Sequence, residues 1–184
     1  MRLRIVLAGS VMPCIPESRI YYNLLQKMVH DLKVMKIFFV QIVLCGFLNR
    51  NKIILFRDSE KFALYRECDT VLYTPPNEHF GIVPIEALEQ RRPVVVCNSG
   101  GPAETVVEGV TGSKIAAPDE KLLAIAMEEH MKRSSWPALD NDEIYEHQRK
   151  RFEQYFSLNE FCSRINDALA ILFPNDSITA SNNL

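Results

Sequence analysis

Glycine is scarce in this sequence, at 7 of 184 residues, and the charges nearly cancel at a net −2. Where glycines do gather, they therefore point to a backbone that needs them. The lack of a basic excess argues against a nucleic-acid partner, because a protein that neutralises phosphate backbones needs a positive surface. Zinc-type spacing is also missing. Cys14, Cys45, Cys68, Cys97 and Cys162 form no C-x-x-C pair, and His30, His79, His130 and His147 stand at no ligand-like spacing from them. An odd, scattered set of cysteines reads as free, mostly buried thiols of a reducing compartment. The apolar run 34–48 carries Lys36 and Gln41 and falls short of the roughly 20 residues of a membrane helix. It reads as a buried strand or an atypical insertion (34–51), with a membrane-touching segment as the alternative. The first nine residues have too short an apolar stretch for a signal peptide and read as a strand entering a glycine turn.

What is present is a chain 47% hydrophobic and 24% charged, enough for an α/β core without disulfides or metals. Strands are expected at 4–7, 53–56, 70–73 and 93–97. Helices are expected at 18–32, from a cap at Asp58 to 66, at 84–90 with Pro84 in the first turn, and at 103–108. Short loops between alternating strands and helices imply βαβ units and a parallel, Rossmann-like sheet. The unbroken Val94-Val95-Val96 suits a strand covered on both faces. From Pro118 the pattern is wholly helical: 120–133, 141–155, and a last helix opened by Ser157-x-x-Glu160, a capping box, and reaching 173. One domain over 1–173, with a helical trailer at 118–173 and a disordered tail at 174–184, is the expected organisation.

In a parallel α/β sheet, ligands bind beyond the carboxyl ends of the strands. Two loops are expected there. One runs Thr74-Pro75-Pro76-Asn77-Glu78-His79-Phe80-Gly81-Ile82-Val83-Pro84-Ile85-Glu86 into a helix start, where free N–H groups favour an anion. The other is Asn98-Ser99-Gly100-Gly101-Pro102-Ala103-Glu104. Gly81 and the Gly100–Gly101 pair permit close backbone approach, and Glu78 and Glu86 can each accept two hydroxyl hydrogens from a diol. Together these residues suit a ligand with both phosphate and sugar. Arg91, Arg92 and Lys114 read as solvated surface.

Glu78-x7-Glu86 within E-H-F-G-I-V-P-I-E-A, followed by R-P-V-V-V-C-N-S-G-G-P-A-E, resembles the family 4 glycosyltransferases of GT-B architecture. The variant N-E-H-F-G-I-V-P with N-S-G-G-P is similar to their GDP-mannose-dependent α-1,3/1,6-mannosyltransferase branch, which acts on dolichol-pyrophosphate-linked oligosaccharide. The resemblance is strong over 71–112. It implies a retaining mannosyltransferase on the cytosolic face of the endoplasmic reticulum membrane, needing no cofactor and no metal in its active site. It also implies roles. Glu78 holds donor-sugar hydroxyls near the anomeric carbon. Gly81, Ile82 and Val83 offer N–H groups to the diphosphate, and Glu86 takes the ribose hydroxyls. His79, Phe80, Gly100, Gly101 and Glu104 line the donor pocket. The acceptor-binding domain and the opening βα unit, with the family's diphosphate-binding Arg and Lys, are expected to lie outside these residues. A fragment incomplete for catalysis, a non-catalytic nucleotide-binding remnant and a UDP-sugar-dependent relative all fit the same loops.

Overall fold

The computed structural model describes residues 5–8, 14–31, 41–44 and 58–174. The expected strand at 53–56, the cap side chain of Asp58, Cys45, and the tail from 175 lie outside the described residues. The chain divides into two compact units, Met1–Asp142 and Glu143–Leu184.

Among the described residues, the first unit carries a five-stranded sheet in the order β1 (Ile5–Ala8), β2 (Gln41–Leu44), β3 (Thr70–Tyr73), β4 (Val94–Cys97), β5 (Gly112–Ile115). The expected parallel sheet is found over β3, β4 and β5. The other edge is antiparallel, β1 with β2 and β2 with β3, so the whole sheet is mixed. The apolar content that marks a strand carries no information on direction, which pairing alone decides. Part of the run 34–48 is indeed a strand, β2.

Helices cover the parallel strands on both faces. On one face α2 (Asp58–Glu67), α3 (Ile82–Glu89) and α4 (Gly100–Thr105) pack Tyr65, Cys68, Val83, Ala87 and Val106 around Val71, Val94 and Val96. On the other, α5 (Glu120–Lys132) sets Ala126 against Leu72, Val95, Cys97 and Ile115. Alternate residues of one strand thus enter opposite cores, and each fully buried valine contributes on the order of 1.5–3 kcal/mol. The α5 start is capped by Asp119, whose carboxylate accepts from the Lys121 and Leu122 N–H groups. A short α6 (Pro137–Asp140) follows, and α1 (Pro16–Asp31) precedes the run containing β2.

The second unit contains α7 (Asp142–Phe156), apart from its first residue, and α8 (Leu158–Leu172). The capping box is half realised. Ser157 Oγ accepts from the Glu160 N–H at 3.2 Å, while the Glu160 carboxylate instead takes Arg164 Nε at 2.7 Å, one turn on.

Two expectations fail for identifiable reasons. Strand β5, with the sequence Gly-Ser-Lys-Ile, lacks an apolar run and was not expected. Of the four described cysteines, all free, Cys68 and Cys97 are buried but Cys14 and Cys162 are exposed; each exposed one lies outside the sheet, where no core demands it.

Candidate functional site

The loops after β3 and β4 meet at the carboxyl ends of these strands. Backbone groups join them: the Gly101 N–H donates to the Glu78 carbonyl at 2.8 Å, and the Asn77 N–H donates to Ser99 Oγ at 3.1 Å. The Cys97 thiol, its pKa raised by burial, donates to the Thr74 carbonyl at 3.2 Å.

The glycines are explained by this clasp. Gly100 has φ +59°, and a Cβ there would lie 2.1 Å from the Glu78 carbonyl oxygen. A Cβ on Gly101 would lie 2.3 Å from the Phe80 oxygen. The pair therefore lets one loop seat directly on the other, and Gly101 is buried in doing so. The side-chain-free approach foreseen for a ligand is used by the protein's own backbone.

Gly81, at φ +73°, caps α3 in the left-handed region, and no side chain caps the helix. Helix α3 begins at Ile82, two residues before the expected start. Ile82 and Val83 thus occupy its first two positions, where N–H groups have no partner within the helix. Ile82 is exposed and Val83 is part of the core, so the chain enters the helix with one residue facing outward and the next anchored.

Both carboxylates are held. Glu78 Oε2 accepts from Tyr73 Oη at 3.3 Å, and Oε1 accepts from the His79 N–H at 3.0 Å. Burial, then the Glu78 charge and hydrogen bond, push the Tyr73 phenol up to about 12, so it remains a donor at neutral pH. Glu86, in the second turn of α3, is gripped from α2. Lys61 Nζ lies 2.6 Å from Oε1, and Tyr65 Oη donates to Oε2 at 2.9 Å. Sequence reasoning missed both partners. Their signal was present, since Lys61 and Tyr65 stand four apart on one helix and so share a face.

His79 and Phe80 are exposed on the first loop, and Glu104 is exposed on α4. Two other expectations are corrected. Arg92 is half-buried, its Nη2 donating to the Arg66 carbonyl at the end of α2 at 2.5 Å, because a guanidinium suits the free carbonyls of a helix C-terminus. Lys114 is also half-buried and donates to the Ala103 carbonyl of α4 at 3.0 Å, since its place on β5 points it to the α4 face. Arg91 is exposed and pairs with Asp142 at 2.5 Å, at the far end of α3. Among the described residues, no group of three or more His, Cys, Asp or Glu is gathered as for a metal ion, and no helix is long and apolar enough to cross a membrane.

Known proteins resemble this chain in sequence and in fold. A family model described as glycosyl transferases group 1 matches residues 41–151, more than half the chain. The alpha-1,3/1,6-mannosyltransferase ALG2 of Mus musculus is 37% identical over 139 residues, covering 74% of this chain and 30% of that protein. The Homo sapiens protein of the same name is 45% identical over 83 residues, covering 45% of this chain and 20% of that one. Among solved structures, Anabaena HepE in complex with UDP aligns with a TM-score of 0.65 at 23% identity, covering 90% of this chain and 40% of that one. A glycosyltransferase from Rickettsia africae aligns with a TM-score of 0.65 at 22% identity, covering 93% of this chain and 40% of that one. Those two likenesses are likenesses of fold. The chain spans about a third or less of the length of the two mannosyltransferases.

Proposed function

The chain belongs to the glycosyl transferases group 1 family, and on that premise we propose that its 58–115 region is the nucleotide-sugar donor site of a retaining mannosyltransferase. The whole protein would move mannose from GDP-mannose to a dolichol-pyrophosphate-linked oligosaccharide, at the cytosolic face of the endoplasmic reticulum membrane. The observation that carries the reading is the placement of Glu78 and Glu86 on either side of an α3 start without a side-chain cap. The alpha-1,3/1,6-mannosyltransferase names of relatives from several organisms support the sugar. The solved neighbour with UDP supports a nucleotide ligand as such.

The chemistry follows from the parts. In transfer, the bond between the anomeric carbon and the diphosphate breaks, and negative charge grows on the leaving diphosphate. The N–H groups of Ile82 and Val83 and the dipole of α3 meet that charge. Glu78 holds sugar hydroxyls and steadies the positive character of the anomeric carbon. Glu86 accepts from the ribose hydroxyls, and Glu104 borders the same pocket. No metal takes part in this scheme, so a chelator leaves donor binding unchanged. Acceptor binding belongs to the rest of the protein, and this chain's own contribution is the donor.

The test is calorimetric titration of the folded chain with GDP, GDP-mannose and UDP, beside Glu86→Ala. Binding selective for guanine nucleotide, and at least tenfold weaker in the variant, is the expected result. A preference for UDP would favour a UDP-sugar-dependent member of the family. A folded chain that binds none of the three would be a remnant that has lost the donor site.

A further inference from the structure

We infer that Lys61 and Tyr65 are positioning residues for the donor: from α2 they fix the carboxylate of Glu86 in the orientation that a ribose diol needs. The inference rests on the proposed donor reading and deepens it.

Glu86 is the fifth residue of α3, and its side chain is 14% exposed. A glutamate has three side-chain torsions, so at a half-open position its carboxylate would sample several orientations. Here each oxygen is tied by a different donor, Oε1 by Lys61 Nζ at 2.6 Å and Oε2 by Tyr65 Oη at 2.9 Å. Two donors on two oxygens fix the carboxylate plane as well as its position. Each oxygen carries two lone pairs, so each keeps capacity for a hydroxyl hydrogen. Two vicinal hydroxyls are a ligand that requires both oxygens at once.

The two holders differ in setting. Tyr65 is fully buried, its ring among Cys68, Val71, Val83 and Ala87, so its hydroxyl is delivered by a rigid ring. Lys61 is 28% exposed, with its ammonium 5.0 Å from the centre of the Phe62 ring. A contact serving only to join α2 to α3 would need no second donor on the remaining oxygen. The arrangement also puts an ammonium beside the Glu86 carboxylate, limiting the repulsion that Glu86 would exert on a bound diphosphate.

The experiment compares GDP with 2′,3′-dideoxy-GDP, which lacks the diol, on the full chain and on Lys61→Met and Tyr65→Phe, with melting temperature recorded for each. If GDP proves the weaker ligand, UDP and its dideoxy analogue replace the pair. The wild type is expected to prefer the diol-bearing nucleotide at least tenfold. Each variant should lose most of that preference through weaker GDP binding, with affinity for the dideoxy nucleotide within about twofold of wild type. Lys61→Arg should restore part of it. A purely structural contact would instead lower both affinities together with the melting temperature, and that outcome overturns the inference. So does a preserved diol preference in Tyr65→Phe, which keeps the buried ring and carries the test should Lys61→Met fail to fold. Failure of the wild type to bind either nucleotide would sink the donor reading itself and, with it, this one. Binding without diol preference would leave the donor reading standing and remove only the positioning role.

Discussion

The two faces of the parallel strands put polar groups to opposite uses. On the α2–α3–α4 face, charged and hydroxyl groups gather at the open strand ends, where Glu78 and Glu86 are held by Tyr73, Tyr65 and Lys61. On the α5 face, a polar group is sealed in the core. His130 is buried, its Nδ1 3.1 Å from Thr70 Oγ1 and its Nε2 2.8 Å from Ser113 Oγ, with the Trp136 ring centre 4.4 Å away. Both imidazole nitrogens are thus engaged by strands, β3 and β5. One face carries held carboxylates with acceptor capacity left for a ligand, and the other carries a saturated group that fastens helix to sheet. Changes on the first should therefore move ligand binding, and changes on the second should move stability.

The largest expected effect would break that separation. Gly100→Ala places a Cβ 2.1 Å from the Glu78 carbonyl oxygen at a φ of +59°. Backbone cannot yield as a flexible side chain does, and the left-handed conformation costs a further 1–2 kcal/mol or so. The loops must separate, which displaces Glu78. Loss of about 3 kcal/mol or more in denaturant unfolding should accompany loss of detectable nucleotide binding. Binding that survived would mean that the clasp between the loops is not what shapes the site.

Next comes the sealed face. His130→Leu leaves the Thr70 and Ser113 hydroxyls without their imidazole and should cost about 2–4 kcal/mol, with nucleotide affinity little changed. A pH signature belongs to the same residue. Burial, then the nearby Arg133 charge, lower its pKa from 6.5 to about 4. The unfolded chain therefore takes up this proton at a higher pH than the folded one. The contribution is full above pH 6.5 and is lost as pH falls towards 4. The total at stake is on the order of a few kcal/mol. Chemical denaturation across that window should show the decline in the wild type and a flatter profile in His130→Leu.

A smaller effect sharpens the contrast within the open face. Tyr73→Phe removes one donor to Glu78 and keeps the ring. It should weaken GDP-mannose several-fold, roughly 1 kcal/mol, while GDP, which lacks the sugar, binds as before. Equal weakening of both ligands would place Glu78 away from the sugar.

The ease of reading each face from sequence follows from the range of its interactions. Val94-Val95-Val96 declares a covered strand, and the glycine-bearing loops declare a special backbone, because these signals are carried by consecutive residues. The start of α3 at Ile82 was blurred by Pro84, which also suits a first helical position but here sits at the third. Strand β5 was hidden because Ser113 and Lys114 serve distant partners, His130 and Ala103. The grip on Glu86 spans 25 residues to Lys61, and only the fold brings such pairs together. The family motif locates the carboxylates, then, but the groups that aim them emerge only with tertiary structure.

The smallest effect concerns the end of α3 farthest from its Gly81 start. There the Arg91 N–H donates to the Leu88 carbonyl and the Arg92 N–H to that of Ala87, both at 2.8 Å. With Gln90 as the C-cap and Arg91 at φ +53°, this is a Schellman turn with arginine at the position that glycine favours. Arg91→Gly relieves the left-handed strain but adds freedom to the unfolded chain, which offsets about 0.4–1 kcal/mol of the gain. It also removes the pairing with Asp142, whose side chain is 84% exposed; an ion pair so open is worth little. The net should be a stabilisation of under about 1 kcal/mol, read as a slightly higher melting temperature, with nucleotide affinity unchanged. Stability of the site-bearing helix could then be adjusted at one end without disturbing the carboxylates at the other. A fall in melting temperature would show that the arginine side chain contributes more to this turn than its backbone strain costs.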